Sequence, residues 1–221
     1  MPTPAFRDRK SAGLRLATRL AAMNLAEPVV YALPRGGVPV AVPIAAALNA
    51  QLDLLLVRKI GVPSHPEVAA ASIVDGERPD IVLNESVMQA ARLTEADIAR
   101  LARSELTEIE RRRALYLPNS APLPVAGKTA ILVDDGIATG ASIRAAIAAV
   151  RRRDPRAVIV AAPVAAPDTV EDLRAFADDV VVLSSPPWFS SVGEFFLDFH
   201  QLTDAEVVEL LATQDDAAPA V

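Results

Sequence analysis

Apolar residues along this chain gather in two ways, as short runs and as longer stretches in which they return every three or four positions. Val29-Val30-Tyr31-Ala32-Leu33, Leu52 to Val57, Thr129 to Val133, Ala157 to Ala162 and Val180 to Leu183 are runs of the first kind. Each predicts a strand buried on both faces. Helical spacing marks residues 6–26, where Leu14, Leu16, Leu20 and Met23 stand among Arg and Lys and Pro28 closes the segment. Further helices are predicted after Pro34-Arg35-Gly36-Gly37 up to Ala50, across Pro39 and Pro43, and over residues 141–152 and 168–176. Strand followed by helix, repeated, predicts an α/β chain with a parallel sheet covered on both faces.

The middle of the chain breaks this alternation. Residues 61–67, rich in Pro and Gly, predict a loop. Val68 to Val74 and Ile81 to Leu83 flank the polar turn of residues 75–80, the pattern of a β-hairpin arm with Pro79 placing its second limb at an edge. Thr94 followed by Asp97 predicts the capped start of a charged helix reaching Tyr116, whose Arg111, Arg112 and Arg113 read as a solvated face. Residues 118–124 form a proline-broken link, and residues 214–221 read as a frayed tail. Arg151, Arg152 and Arg153 end a helix, where cations complement the dipole.

Composition narrows the chemistry. The 221 residues suffice for one domain with a substantial core, and 52% hydrophobic with 23% charged residues is a globular balance. A formal charge of −6 argues against a nonspecific nucleic-acid grip. Without cysteine there is no disulfide, thiolate nucleophile or Cys-based zinc site. The start lacks the apolar core of a secretory signal, and the longest uncharged run, residues 36–52, is too interrupted to span a bilayer. A soluble cytoplasmic protein with no membrane partner is expected.

Chemistry concentrates in Leu132-Val133-Asp134-Asp135-Gly136-Ile137-Ala138-Thr139-Gly140-Ala141-Ser142. Ligands of open α/β sheets collect at strand carboxyl ends, and this string stands at one. Gly136 and Gly140 let backbone amides converge, Thr139 and Ser142 add hydroxyls, and the helix behind adds the positive end of its dipole. That suits a phosphate monoester. Two carboxylates suit instead a neutral polyol or a hydrated Mg²⁺. A ribose 5-phosphate carries both parts in this order.

The string closely resembles the phosphoribosyl diphosphate signature of type I phosphoribosyltransferases. The resemblance implies that Asp134 and Asp135 hold the ribose hydroxyls and that residues 137–142, Ile137, Ala138, Thr139, Gly140, Ala141 and Ser142, wrap the 5-phosphate. Leu33-Pro34-Arg35-Gly36-Gly37 resembles the family's diphosphate loop, and its physics agrees: glycines admit backbone donors and the guanidinium adds charge-assisted bonds. Arg58 and Lys59 resemble a further basic contact to the diphosphate. The arm, about residues 61–84, falls where the family carries a mobile catalytic loop that excludes water.

The fold implied is that of a single type I phosphoribosyltransferase domain over residues 1–221. It has a mainly parallel five-stranded sheet flanked by helices, a core of about 28–185, the antiparallel arm, and a C-terminal hood of about 186–212. In that hood, Trp188, Phe189, Ser190, Ser191, Val192 and Gly193, then Leu197-Asp198-Phe199, resemble 6-oxopurine enzymes, where an aromatic stacks on the base and Asp198 would lie near the metal. The spacing from Gly193 to Asp198 is one residue longer than in that pattern. Two departures bear on the acceptor. Ala138 stands where those enzymes place a proton-accepting acid, and Val158-Ile159-Val160-Ala161-Ala162-Pro163-Val164 carries no lysine for an exocyclic oxygen.

The expected reaction is Mg²⁺-dependent transfer of a phosphoribosyl group from phosphoribosyl diphosphate to an unidentified nitrogenous base. Arg35, Lys59, Asp134 and Asp135 are the expected catalytic set, and Asp134 and Asp135 touch the ion indirectly. A non-catalytic sensor on the same pocket is the alternative, and a phosphatase using Asp134 as nucleophile ranks last. His65 reads as an exposed loop histidine and His200 as structural. A homodimer is among the states the resemblance allows.

Overall fold

A computed structural model describes residues 5–76, 78–118 and 120–215; Glu77, Asn119 and most of the tail read as frayed (216–221) lie outside the described residues. The first half holds helix α1 (Arg9–Ala21), strand β1 (Pro28–Ala32), helix α2 (Val38–Leu48), strands β2 (Gln51–Leu54), β3 (Val57–Val62), β4 (His65–Val74) and β5 (Asp80–Leu83), and helices α3 (Glu85–Ala91) and α4 (Glu95–Tyr116). The second half holds strand β6 (Thr129–Val133), helix α5 (Ala141–Arg151), strand β7 (Ala157–Val164), helix α6 (Pro167–Leu173), strand β8 (Asp179–Ser184), a short 3-10 helix (Val192–Phe195) and helix α7 (Asp204–Asp215).

Five strands pair in parallel in the order β2-β1-β6-β7-β8, as the apolar runs predict. Side chains of a strand alternate between faces, and here they divide into two cores. Val30, Ala32, Ile131, Val133, Ile159 and Ala161 pack with Leu16 and Leu20 of α1, Ile44 of α2 and Leu211 of α7. Val29, Tyr31, Leu132, Val158 and Val160 pack with Ile143 and Ile147 of α5 and Leu173 of α6. The α1 helix is shorter than its apolar spacing predicts, because Asp8 caps it by accepting the Ser11 amide at 2.6 Å. In α2, Pro39 sits in the first turn, where an amide has no helical partner anyway, and the helix continues through Pro43.

The run from Leu52 to Val57 is not one strand. Leu55 donates to the Ala32 carbonyl at 2.9 Å and closes β2, whereas the Leu56 amide donates to the Asp75 carboxylate at 2.7 Å and turns the chain into a second sheet. That antiparallel sheet, β3-β4-β5, is the expected arm with one more strand than its pattern showed. Arg58 and Lys59 lie within β3, paired with Ile73 and Ser72, rather than at the end of a parallel strand. His65 likewise opens β4 instead of lying in a loop. The inner half of the arm is body: Ala70, Ala71, Ile73 and Val74 are buried, while residues 63–68 are exposed. No helix among the described residues is long and apolar enough to cross a membrane.

A charge network holds this junction. Arg113, which reads as part of a solvated helix face, sends Nη2 to Asp53 at 3.0 Å and Nη1 to Asp75 at 2.7 Å, and both acids are buried. Arg111 and Arg112 do stay on the surface ladder, both bonded to Glu108. Asp53 also accepts the Leu123 amide at 2.8 Å, tying down the proline-broken link. Burial pushes the Asp75 carboxyl above its ordinary range, with Arg113 acting against it. Removing one partner of such a set strands the others without compensation. Arg113→Met is therefore expected to cost about 3–5 kcal/mol in urea unfolding. The loss should be smaller at about pH 5 than at about pH 8, since stranded carboxylates in the folded protein then take up protons.

Candidate active site

Parallel pairing aligns the carboxyl ends of β1 and β6. Ala32 lies opposite Val133, and the Leu33 amide donates to the Val133 carbonyl at 2.9 Å. The chain then leaves both strands at one level, and the Pro34-Arg35-Gly36-Gly37 turn comes to rest against the acid pair. A Cβ on Gly36 would overlap the Asp135 carboxylate, so glycine lets the turn approach that side chain without displacing it. The peptide between Pro34 and Arg35 is cis. Gly37 donates its amide to the Leu33 carbonyl at 3.0 Å, which closes the turn, whereas the Gly36 amide has no protein acceptor among the described residues.

Asp134 and Asp135 occupy unequal settings. The Asp135 amide donates to Asp134 Oδ1 at 2.9 Å. Burial, and then the charge of Asp135, pushes the Asp134 carboxyl well above the usual carboxylate range. Asp135 is matched instead by a buried arginine that sequence reasoning passed over: Arg9 Nε lies 2.7 Å from its Oδ2. Arg9 also donates from Nη1 to the His200 carbonyl at 3.0 Å, and its guanidinium lies 3.8 Å from the centre of the Phe199 ring.

Behind the acids the loop leaves a run of amides without protein acceptors among the described residues. Ile137 belongs to the scaffold: its side chain is buried and its amide donates to the Val164 carbonyl at 2.9 Å. From Ala138 to Gly140 the amides have no protein acceptor among the described residues. Gly140 takes a left-handed φ of 70° as the N-cap of α5, and no side chain caps that helix. The first-turn amides, Ala141 and Ser142 among them, are thus left to a ligand or to water. The loop is braced from outside, since Thr169 donates its hydroxyl to the Ala138 carbonyl at 2.6 Å and Arg144 donates to the Thr139 carbonyl at 2.9 Å.

Other expected site residues are placed less directly. Arg35 lies 3.6 Å from Asp204 at the start of α7. Arg58 is paired with Glu105 of α4 at 2.6 Å, and Lys59 is exposed with no ion-pair partner among the described residues. Among the described residues, no hydrogen bond or ion pair joins either of them to the acids. In the hood, Phe189 stacks on Phe195 with centroids 5.7 Å apart, as part of an aromatic cluster with Phe6 and Phe196. Trp188 is 87% exposed. The hood still reaches the site, because Val192 packs against Gly136. Asp198 is bonded to His200 Nδ1 at 3.0 Å, which holds its carboxyl below the ordinary range. The same partnership, shared with Glu206, pushes the His200 imidazole up. Among the described residues no group of three or more His, Asp or Glu could hold a metal. The donor set therefore does not make a resident metal cage among the described residues.

A parallel five-stranded sheet flanked by helices, with a glycine turn, an acid pair and an uncapped helix start at one end and an antiparallel three-stranded sheet beside it, is the type I phosphoribosyltransferase fold. The family model for the phosphoribosyl transferase domain matches residues 9–200, and the chain belongs to that family. It is similar to a "Putative phosphoribosyl transferase" of Mycobacterium tuberculosis (strain H37Rv), 42% identical over 206 residues, which is 93% of this chain and 46% of that protein. The chain thus spans about half the length of the curated relatives it matches. Among solved structures it is similar to TT1426 of Thermus thermophilus, with a TM-score of 0.83 and 41% identity, covering 94% of this chain and 98% of that one.

Asp134 carries a stability cost that the fold alone does not require. A carboxyl raised in the folded state binds its proton more tightly there, so stability falls as pH rises through its range. Asp134→Asn keeps an oxygen for the Asp135 amide and removes the charge. It is expected to raise Tm at neutral pH by roughly 2–4 °C, and the advantage should vanish in calorimetry at acid pH, where the parent carboxyl is already protonated.

Proposed function

We propose that this chain transfers the 5-phosphoribosyl group of phosphoribosyl diphosphate to a nitrogen of a base, with release of pyrophosphate. One observation carries the reading: Gly36 of the turn after β1 rests on the Asp135 carboxylate after β6, with the uncapped start of α5 directly beyond. Anion donors on either side of a hydroxyl acceptor match a sugar esterified at both ends.

In this reading the amides from Ala138 to Ser142, with the Thr139 and Ser142 hydroxyls, hold the 5-phosphate. The free carboxylate oxygens of Asp134 and Asp135 accept from the ribose hydroxyls. Arg35, the Gly36 amide and Lys59 balance the leaving diphosphate, and Lys59 reaches it from the arm. As the bond from C1 to the diphosphate oxygen breaks, a bond from C1 to the base nitrogen forms, and the base nitrogen loses its proton to solvent. Asp134 and Asp135 would hold Mg²⁺ indirectly, and the ion would supply further neutralisation of the leaving charge. The protein's part is orientation and fixed electrostatics, since no side chain is placed as a nucleophile. Trp188 of the hood is left to stack on the base; Phe189 is committed to the aromatic cluster. The all-apolar β7 and Ala138 disfavour hypoxanthine and guanine as acceptors.

The test incubates the protein with phosphoribosyl diphosphate, Mg²⁺ and a panel of bases, and follows pyrophosphate and nucleotide. Base-dependent pyrophosphate release is expected, and Asp134→Asn with Asp135→Asn should weaken phosphoribosyl diphosphate binding by about 100-fold or more while the protein stays folded. Binding without turnover on any base would assign a sensor instead, and orthophosphate release without a base would assign a phosphatase.

A further inference from the structure

The acid pair poses an electrostatic problem that Arg9 answers. Adjacent carboxylates at a sheet end repel, and both must present acceptor oxygens to a sugar. Arg9 comes from the first turn of α1, far from the pair in sequence, and its side chain is only 10% exposed against 15% for that of Asp135. It is fixed on three sides, by Asp135 Oδ2, by the His200 carbonyl and by the Phe199 ring. Phe199 in turn stacks on Phe196 at 5.1 Å. The hood is stitched to the segment before α1 by Phe6 donating to Phe195 at 3.0 Å and Leu197 donating to Phe6 at 3.0 Å. Arg9 cannot shift without disturbing the hood, and Asp135 cannot rotate without losing Arg9.

The bond to Arg9 uses Oδ2 alone. Asp135 Oδ1 accepts no bond from an arginine or a backbone amide among the described residues, and the neighbouring Asp134 carboxyl is the one further side chain bonded to Asp135 there. Resting on the proposed function, we infer that Arg9 is a positioning residue for sugar recognition: it occupies Oδ2 of Asp135 and so aims Oδ1 at the vicinal hydroxyls of the ribose. The planar fork matters, because a guanidinium can hold a carboxylate and a carbonyl at once in a fixed plane over a ring, which an ammonium cannot. Arg9 thereby also makes the hood part of ribose recognition, although no hood residue is asked to touch the sugar.

The test compares two ligands, ribose 5-phosphate and its 2,3-dideoxy analogue, by calorimetric titration of the parent protein, Arg9→Met and Arg9→Lys, each checked by circular dichroism and thermal melting. Arg9→Met should lose about 10- to 100-fold in affinity for ribose 5-phosphate and leave the dideoxy analogue's affinity unchanged, with Arg9→Lys recovering part of the loss. An equal loss for both ligands, or unfolding of Arg9→Met together with an Arg9→Lys that binds ribose 5-phosphate like the parent, would reduce Arg9 to a structural residue and overturn the inference. So would parent-like binding by Arg9→Met. Failure of the parent protein to bind ribose 5-phosphate would strike the proposed function itself, a separate result.

Discussion

Parallel registry between β1 and β6 is the constraint on which the site rests. With Ala32 opposite Val133, the chain leaves both strands at one level, and the glycine turn meets the aspartates without any long loop to carry it. Each neighbouring strand reinforces the same edge: β7 takes the Asp134 and Ile137 amides on the carbonyls of Ala161 and Val164. The loop is therefore pinned at its first residue and braced beyond it through its carbonyls, while its amides stay unbonded to protein among the described residues. A phosphate receptor can be rigid and still present unbonded donors only if its frame is bonded elsewhere.

Three arginines stand in opposed pairs with acids. Asp135 faces Arg9, Arg35 faces Asp204, and Arg58 faces Glu105. Partly exposed pairs of this kind add little stability, and they exchange partners at small cost when a charged ligand enters. The Arg9 pair differs, being the most enclosed of the three and joined to an aromatic cluster. It is held on three sides, whereas the Arg35 and Arg58 pairs are partly exposed. On the proposed function, an acidic chain holds a polyanion through a few guanidiniums, amides and one helix terminus, without any general positive field.

Much of the frame was legible because a strand buried on both faces leaves a mark in the sequence: unbroken apolar residues at β1, β6, β7 and β8. The acid pair and the small-residue loop were legible as one contiguous string, and the fold keeps them together at the end of β6. What failed to show was whatever depends on distant partners. Arg9 looks like one more cation at the start of an amphipathic helix, and nothing local announces Asp135. The division of Leu52 to Val57 between two sheets depends on the Asp75 carboxylate meeting the Leu56 amide, and Asp75 looked like a turn residue. Arg113 was masked by Arg111 and Arg112, whose surface pairing suggested the same for all three. Helix α3 escaped notice because seven residues give too little periodicity, and Phe189 was separable from Trp188 only once Phe195 was seen beneath it.

Where a sugar phosphate sits on the protein is the decisive fact. A crystal structure of the protein with ribose 5-phosphate tests it most directly. Phosphate oxygens within hydrogen-bonding distance of the amides between Ala138 and Ser142, with a ribose hydroxyl on Asp134 or Asp135, are the predicted result. A ligand bound elsewhere, or loop amides turned to protein acceptors while the acids face only Arg9 and solvent, would contradict it.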